Sequence, residues 1–318
     1  MASDEYLLSR IAWFYYVEEL TQKEIAARFG VSRVKVVRLL KEARERGLVE
    51  FRISGLRASY LPLERSLRQQ FGLRDAHVIG TPSPIENLRP ALGEAAAFYL
   101  SSALHTDSVV GLGMGRTLSE IPKHLRPING ICHFVEMVGG IGRGLGFDSY
   151  KVSSQLADRC GGEVEHLYAP MIVETPAARQ AILGDSQISS VLNRAAASDI
   201  ALVSVGTVDL DSFLFQAGYV DESGVDALAA KGAVGDVLGR FFDIDGRLVP
   251  CPTDDRFVGL SPSQLARIPI VVCVAGGPTK VCSILGALRG RYVNVLITDA
   301  DTAQALLDYS DSDSVRRR

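Results

Sequence analysis

The chain has 318 residues, which is room for about two domains of ordinary size. Hydrophobic residues make up 47% of it and charged residues 22%, which excludes a disordered chain and allows a large buried core. The net charge of −3 conceals an asymmetry, because residues 1–57 carry 11 basic and 8 acidic side chains, whereas the rest of the chain carries 23 and 29. A basic N-terminal segment on an acidic body indicates that only this segment approaches a polyanion.

The sequence gives no sign of a membrane or an oxidising compartment. Residues 1–4 lead into a charged amphipathic segment instead of a secretory signal, and no apolar run reaches the roughly 20 residues of a membrane-spanning helix. No two cysteines have the CxxC spacing, so we expect all five to be reduced and buried. We therefore expect a cytoplasmic protein with no membrane partner. The cysteines are Cys132, Cys160, Cys251, Cys273 and Cys282.

The N-terminal segment has the pattern of a helix-turn-helix. Apolar residues at helical spacing predict a first helix over 6–20, and a capping box at 21–24 begins a second helix that stops at Gly30. Ser32 caps a third helix, which ends near Arg46. Ala26 is small where the helices would cross, and residues 48–54 alternate like a short strand.

The outer face of the third helix is expected to read DNA. Once the apolar residues are assigned to a local core, polar and basic residues remain for this face. Arginine pairs bidentately with guanine, and a valine can contact a thymine methyl group. The predicted DNA contacts are Ser32, Arg33, Val34, Lys35 and Arg38 for bases, with Gln22 and Lys41 for phosphates. The alternative is a helical hairpin with a solvated basic face.

Residues 58–318 have the alternating pattern of a larger α/β domain. A linker helix is predicted over 63–71, within a linker segment at 58–75. Uniformly apolar strands that alternate with helices predict a doubly wound, mostly parallel sheet with both faces covered. Asp245-Gly246 has the pattern of a two-residue hairpin turn. Strands are predicted over 76–79, 108–112, 132–138, 167–170, 200–205, 248–250, 270–275 and 293–298. Helices are predicted over 89–102, 117–124, 149–160, 177–183, 188–197, 223–231, 234–240, 279–288 and 299–307.

Four glycine-rich turns follow predicted strands in this domain. Glycine lets backbone N–H groups approach an anion, and ligands of open α/β sheets bind beyond the carboxyl ends of the strands, where all four turns lie. We therefore predict one pocket for an anionic or polyhydroxyl ligand, with Asp236 accepting hydrogen bonds from hydroxyl groups. Its residues are Gly113, Met114, Gly115, Arg116 and Thr117 of the first turn, Gly139, Gly140 and Arg143 of the second, Gly206 and Thr207 of the third, and Gly276, Gly277 and Lys280 of the fourth.

Catalysis is not indicated. The first turn lacks the GxGxxG spacing, no GK[ST] P-loop occurs, and the five histidines show no HExxH or similar ligand spacing. Ser204 does not lie in a GxSxG elbow. Lys280 could form a Schiff base only with a lowered pKa, of which the sequence gives no sign. We therefore predict a protein that is not an enzyme and needs no cofactor or metal.

Several ordered motifs resemble the SorC family of bacterial sugar-responsive regulators over roughly residues 6–307. The motifs are TQKEIAARFGVSRVKVVRLLKEARERGLVEFRI, VGLGMGRTL, SVGTVD, GAVGDVLGRFFDIDGR and VAGGPTKVCSILGALRGRYVNVLITDADTAQALL. The resemblance implies an effector domain similar to sugar-phosphate isomerases that serves as a sensor. It also implies a homotetramer, a dimer of dimers, on operator DNA. Within the family, the sequence is similar to the branch that controls polyol use, such as erythritol-catabolism repressors.

The resemblance also implies roles for particular residues. Gly113, Gly115, Arg116 and Thr117 match the first ligand loop of the family, and Gly139 and Gly140 match the second. Asp236 matches an acidic position that binds hydroxyl groups, and Lys280 matches a lysine near the effector. Met114 departs from the bulky or polar residue of many members, so the resemblance leaves three effector classes open: a sugar, a phosphosugar and a polyol without phosphate.

The expected function is repression of a carbohydrate or polyol operon, relieved or imposed by that effector. One alternative is a sugar-phosphate isomerase or deaminase with an accessory DNA-binding head. It would need an acid/base constellation that the sequence does not show. A second alternative is a DNA-binding protein whose large domain only oligomerises.

Overall fold

The structure is a computed structural model that describes residues 2–49, 60–126, 131–140 and 149–316, with side chains over 6–49, 60–126, 131–140 and 150–309. The chain divides into two compact units, Met1–Ala58 and Ser59–Arg318. Each unit has its own hydrophobic core. Within the described residues, no helix is long and apolar enough to cross a membrane.

The N-terminal unit consists of the three predicted helices, α1 (Ala2–Tyr16), α2 (Gln22–Phe29) and α3 (Arg33–Glu45). Thr21 and Glu24 form the predicted capping box, and Gly30 ends α2 in the left-handed conformation with φ +64°. The side chain of Ser32 caps α3 by accepting the Lys35 N–H at 3.2 Å. The predicted strand over 48–54 lies outside the described residues except for 48 and 49. The core of this unit is Leu8, Ile11, Ala12, Phe14, Ile25, Ala26, Val36, Leu39, Leu40 and Ala43.

The larger unit is built on a seven-stranded sheet in which every neighbouring pair of strands is parallel. Its strands are β1 (Asp75–Ile79), β2 (Val109–Leu112), β3 (His133–Glu136), β4 (Glu163–Glu165), β5 (Ile200–Val203), β9 (Ile270–Val274) and β10 (Val295–Asp299). They lie in the order β1-β10-β9-β5-β2-β3-β4. A separate antiparallel sheet has the order β6-β7-β8, formed by β6 (Val205–Thr207), β7 (Ala233–Val237) and β8 (Arg240–Asp243).

Helices cover both faces of the large sheet, which confirms the predicted doubly wound α/β architecture. They are α4 (Leu61–Phe71), α5 (Leu88–Ala103), α6 (Ile121–His124), α7 (Ser149–Cys160), α8 (Pro176–Gly184), α9 (Ser186–Ala196), α10 (Phe213–Gln216), α11 (Glu222–Ala230), α12 (Pro262–Leu265), α13 (Val281–Arg289) and α14 (Ala300–Arg316). Successive residues of a strand point to opposite faces, so Ile200 and Leu202 pack in the core beneath α5, α6 and α7. Ala201 and Val203 pack in the core on the other face.

Three of the predicted elements are wrong. Residues 234–240 do not form a helix, because they make up most of β7 and the turn into β8. Alternate residues of β7 are buried, and Leu238 and Gly239 both have positive φ, so the segment is a hairpin. The predicted strand over 167–170 is replaced by β4, a few residues earlier, and the one over 248–250 is reduced to an isolated bridge.

Two smaller expectations have mixed outcomes. The turn at Asp245-Gly246 forms as predicted, with φ +80° at Gly246 and an antiparallel bridge between Phe242 and Leu248 beside it. Four of the cysteines are buried as expected. Cys282 is exposed on α13, so the expectation of burial is wrong for this residue.

Gly93 is expected to be essential for the packing of α5. A Cβ atom at this position would lie 2.3 Å from the Cβ atom of Glu120, in the turn that precedes α6. We therefore expect Gly93→Ala to lower the free energy of unfolding by about 1–3 kcal/mol, although alanine favours a helix by about 1 kcal/mol over glycine. Urea denaturation followed by circular dichroism measures this change.

Gly184→Ala is the matched control. A Cβ atom at Gly184, in α8, would have no atom within 4 Å. This variant should be as stable as the wild type or slightly more stable. Equal stability of the two variants would contradict the packing role of Gly93.

Candidate functional site

A cavity of about 90 Å³ lies at the carboxyl ends of the central strands, where ligands bind in open α/β sheets. Its walls come from the turn after β2, the segment between β5 and α10, the β7–β8 hairpin and the turn after β9. Its lining consists of Arg89, Met114, Gly115, Arg116, Thr117, Ser204, Val205, Gly206, Thr207, Asp211, Ser212, Phe213, Leu214, Asp236, Leu238 and Lys280. Segments that are distant in sequence therefore meet at one place.

A second cavity of about 440 Å³ adjoins the first. It lies between the start of α5 and residues 275–280 after β9. Four residues line both cavities: Arg89, Thr117, Ser204 and Lys280. We call these four residues the neck. It combines two cationic side chains with two hydroxyl groups and contains no carboxylate.

Asp236 approaches the neck from β7. Its Oδ2 accepts the N–H of Gly239 at 2.9 Å. A Cβ atom at Gly206, on the neighbouring strand, would lie 1.7 Å from its Oδ1, so a side chain at position 206 would displace this carboxylate. Burial raises the pKa of Asp236 to about 6, although the Gly239 N–H and the charge of Lys280 act in the opposite direction.

The amine of Lys280 lies among polar groups in the cavity wall. Its Nζ donates to the carbonyl oxygen of Val205 at 2.8 Å. Burial lowers the pKa of Lys280, whereas the nearby carboxylates of Asp236 and Asp209 raise it. The amine is therefore held between two acidic groups, and the sequence did not indicate this shift.

The three cationic side chains of the cavities differ in their partners. Lys280 donates to Val205, and Arg116 donates from Nη2 to the carbonyl oxygen of Asp211 at 3.1 Å. Arg89 makes no hydrogen bond or ion pair with any residue in the described ranges. Glu86 lines the larger cavity close to it in sequence, but the two do not form an ion pair. Arg89 is thus the cation whose charge is left for a ligand.

The predicted turns contribute unequally. Residues 114–117 and Gly206 and Thr207 line the smaller cavity, whereas Gly276 and Gly277 line the larger one. Gly113 lies instead beside a small apolar cavity and donates its N–H to the carbonyl oxygen of Leu202 at 2.8 Å.

The second turn does not reach either cavity with its described residues. The N–H groups of Gly139 and Gly140 donate to the carbonyl oxygens of Val258 and Ala169. A Cβ atom at Gly139 would lie 2.5 Å from the Ala169 carbonyl oxygen, so this glycine allows two chain segments to pack closely. Arg143 lies outside the described residues.

Sequence reasoning missed two residues of the neck. Ser204 is the first residue of the third turn, 204–209, from which only Gly206 and Thr207 were predicted to contact the ligand. Arg89 lies at the start of α5 and follows no glycine-rich turn. Only the packing of α5 against the sheet brings it to the neck, and no local pattern indicates this.

One histidine lies in a polar network away from the cavities. Glu136, at the end of β3, accepts hydrogen bonds from Ser153 at 2.8 Å and from the Leu167 N–H at 3.0 Å, and it lies 3.1 Å from His166 Nδ1. Burial raises the pKa of Glu136, and its hydrogen bonds with His166 and Ser153 oppose that effect. Within the described ranges, no three acidic, histidine or cysteine residues form a metal-binding cluster.

The helix-turn-helix presents an exposed basic face. Arg33, Val34, Lys35 and Arg38 are all exposed on α3, and Val34 is 79% exposed, which is unusual for valine. The Nε of Arg33 donates to the Oε1 of Gln22 at 3.3 Å and so joins the starts of α3 and α2. Lys41 is also exposed and pairs with Glu45 along the helix, whereas Ser32 uses its hydroxyl as the cap.

These features define a class of protein. An exposed basic helix after a tight turn suits the major groove of DNA, and a polar cavity at the carboxyl edge of a parallel sheet suits a small ligand. Together they are the parts of a ligand-responsive DNA-binding regulator.

Comparisons with known proteins support this class over nearly the whole chain. Residues 57–308 match the family model described as "Putative sugar-binding domain", and residues 11–56 match the MarR family. The chain is 34% identical over 314 residues to the transcriptional regulator LsrR of Klebsiella pneumoniae, which covers 96% of this chain and 94% of that protein. It is 32% identical over 301 residues to the deoxyribonucleoside regulator of Bacillus subtilis, with 93% and 96% covered.

A solved structure of a full-length protein has a similar fold. The structure of the sorbitol operon regulator SorC from Klebsiella pneumoniae matches with a TM-score of 0.74 and 29% identity, over 95% of this chain and 98% of that one. The chain belongs to the family of sugar-binding transcriptional regulators that includes LsrR and SorC. This confirms the predicted family and the predicted function as a regulator. Because these full-length relatives are regulators, the isomerase or deaminase alternative is set aside.

The raised pKa of Asp236 predicts a dependence of stability on pH. The folded state binds this proton up to a pH of about 6, whereas the unfolded state loses it near its ordinary value of 3.8. The contribution of Asp236 to folding therefore becomes less favourable as the pH rises through this range, by up to about 3 kcal/mol. We expect Asp236→Asn to gain stability relative to the wild type between pH 4 and pH 7, measured by urea denaturation at both pH values.

Asp301→Asn is the control, because Asp301 is an exposed carboxylate at the start of α14. Its stability relative to the wild type should not change between the two pH values. If Asp236→Asn and the wild type differed in free energy of unfolding by the same amount at pH 4 and at pH 7, the raised pKa of Asp236 would be contradicted.

Proposed function

We propose that this chain represses a carbohydrate or polyol catabolic operon and that a sugar-like effector in the two cavities controls its binding to operator DNA. The observation that carries the proposal is the neck. Its two cations and two hydroxyl groups lie between cavities large enough for a small ligand, with a carboxylate at one side. The names of the relatives, a deoxyribonucleoside regulator and a sorbitol operon regulator, support an effector of this kind.

The effector that fits these groups best is a phosphorylated sugar or polyol. Arginine, lysine and hydroxyl groups are donors that suit a phosphate, and the neck supplies all three. Asp236 then accepts hydrogen bonds from hydroxyl groups in the smaller cavity, together with the backbone of Gly115, Gly206 and Thr207. In this arrangement, Gly276 and Gly277 contact the ligand from the larger cavity.

A polyol without phosphate, such as erythritol, is the second candidate. The smaller cavity of about 90 Å³ suits a short polyol, and buried Met114 gives one part of its wall an apolar surface. This ligand would use Asp236 but would leave the charge of Arg89 without a partner.

The two units have separate tasks in this proposal. Residues 1–57 bind operator DNA through α3, and residues 58–318 bind the effector and assemble the protein as a homotetramer, a dimer of dimers, in the cytoplasm. The segment at 58–75, which contains α4, transmits the change between them. The effector must bind one arrangement of the tetramer more tightly than another, because otherwise it would not change DNA binding.

Substitution of the exposed arginines of α3 tests the DNA interface. The ligand is a duplex selected by the wild-type protein from a randomised library. Each bidentate contact with guanine contributes about 1–3 kcal/mol, so Arg33→Ala/Arg38→Ala should weaken binding by at least about thirtyfold and reduce its dependence on salt. Fluorescence anisotropy over a series of salt concentrations measures both quantities.

Arg44→Ala is the matched control for the DNA test. Arg44 is exposed in the last turn of the same helix. We expect its affinity for the duplex to stay within about threefold of the wild type, which is about 0.7 kcal/mol. Wild-type affinity of the double variant would contradict the assignment of α3 as the reading helix.

A matched panel of ligands tests the effector site. It consists of ribose 5-phosphate, erythritol 4-phosphate and glucitol 6-phosphate, each beside its parent without phosphate. Calorimetry should detect binding of at least one phosphorylated member by the wild type. Arg89→Ala should weaken that binding by about tenfold or more, or about 1.4 kcal/mol, because the phosphate loses a charged partner, and should leave the parent compound unaffected.

Arg267→Ala is the control for the effector site, because Arg267 is exposed and lines neither cavity. Tight binding of a parent compound with no gain from phosphate would favour the polyol candidate. Absence of binding across the whole panel would contradict the sensing role and favour a domain that only oligomerises.

A further inference from the structure

Asp299 is a buried carboxylate that lines neither cavity. It lies at the end of β10 and is 1% exposed. Its Oδ2 accepts the N–H of Gly277 at 3.0 Å and the hydroxyl of Thr302 at 2.6 Å. Its Oδ1 accepts the hydroxyl of Thr81 at 3.0 Å and the N–H of Thr302 at 3.1 Å. All four groups that face this carboxylate are therefore donors.

One of these bonds fixes the turn that carries Lys280. The Gly277 N–H is held by Asp299, and the carbonyl oxygen of Gly277 accepts the N–H of Lys280 at 3.0 Å. Gly277 has φ +96°, and a Cβ atom at Gly276 would lie 2.3 Å from Oδ2 of Asp299. The carboxylate thus occupies the space that a side chain at Gly276 would fill, and it sets the position from which Lys280 reaches the neck.

Another bond fixes the opposite wall of the larger cavity. Thr81 follows β1 and begins the segment that leads to Glu86 and Arg89, which line that cavity. The hydroxyl of Thr81 donates to Asp299 and accepts the N–H of Asp301 at 3.0 Å. The carboxylate of Asp299 therefore connects the start of the segment that leads to Arg89 with the start of the turn that carries Lys280.

We propose that Asp299 is a positioning residue that holds the two walls of the larger cavity at the separation an anionic ligand needs. The nature of the ligand in this inference rests on the proposed function. The geometry rests only on the hydrogen bonds of Asp299. It changes the expected role of the fourth turn, because the Gly277 N–H is bound to Asp299 and Thr302 and is not available to an anion. The ligand then meets the side chains of Arg89 and Lys280, and the turn serves as their support.

Asp299→Asn is the most direct test, because the amide cannot satisfy this site in either orientation. Oδ2 faces the backbone N–H of Gly277, and Oδ1 faces that of Thr302. The side-chain NH₂ would therefore oppose a backbone donor whichever way it pointed. Thr81→Val and Thr81→Ser form a matched pair, since valine keeps the shape of threonine and serine keeps its hydroxyl.

Amide hydrogen exchange of the full-length protein without ligand tests the geometry. In Asp299→Asn, exchange should rise by about tenfold or more in peptides covering residues 276–281 and 80–89, and it should not change in β2 or β5. Thr81→Val should affect the peptide over 80–89, whereas Thr81→Ser should match the wild type. Unchanged exchange of residues 276–281 in Asp299→Asn would overturn the proposal, and so would a uniform rise across the large sheet.

Binding of ribose 5-phosphate tests the consequence for the site. Asp299→Asn and Thr81→Val should weaken it by about tenfold, and Thr81→Ser should stay within about threefold of the wild type. If Asp299→Asn showed raised amide hydrogen exchange but bound ribose 5-phosphate as tightly as the wild type, the positioning role would be overturned. If the wild type itself binds no phosphorylated probe, the phosphorylated effector of the proposed function is ruled out, and the exchange measurement alone decides whether Asp299 holds the two walls.

Discussion

The parallel arrangement of all seven strands is the constraint on which the rest of the larger unit depends. Because every strand of the large sheet runs in the same direction, every segment that follows a strand starts at the same edge. Residues 113–117, 204–207 and 275–280 are far apart in sequence, yet each directly follows one of three adjacent strands, β2, β5 and β9. One antiparallel strand among these three would send its following segment to the opposite edge. The cavities therefore follow from strand direction before any particular side chain is considered.

Electrostatic balance explains how this edge can hold so many polar groups. Lys280 lies near the carboxylates of Asp236 and Asp209, and Arg116 donates to a backbone carbonyl. Partly buried charges are costly unless they are paired, and these groups largely supply partners for one another. Arg89 is the exception among the cations of the cavities. Arg89 is exposed near the N-terminus of α5, where the helix dipole opposes its positive charge, so an anionic ligand would reduce this unfavourable interaction.

The sequence predicts the helices and parallel strands well because their signals are local. Thr21, Gly30 and Ser32 have side-chain or backbone chemistry that marks helix ends wherever it occurs. Residues 234–240 are misread because their mixture of valine, glycine and aspartate gives no strong helix or strand signal, and pairing with β6 and β8 decides the outcome. Arg89 and Asp299 are missed because their roles arise from contacts between distant segments. Gly139 and Gly140 show the reverse, since a glycine-rich pattern also arises where two segments must pack closely.

The same polar groups that suit a sugar-phosphate enzyme are sufficient for a sensor, and the difference lies in what they must do. A catalytic acid or base has to exchange a proton with a reacting atom, whereas a sensor has only to distinguish two conformations by its affinity for the ligand. Burial brings the pKa values of Asp236 and Lys280 closer together, but each group is already engaged, Asp236 with the Gly239 N–H and Lys280 with the Val205 carbonyl. Rigid, hydrogen-bonded groups of this kind give selectivity in binding. A ligand that fits them can favour one arrangement of the chain, which is all that regulation of DNA binding requires.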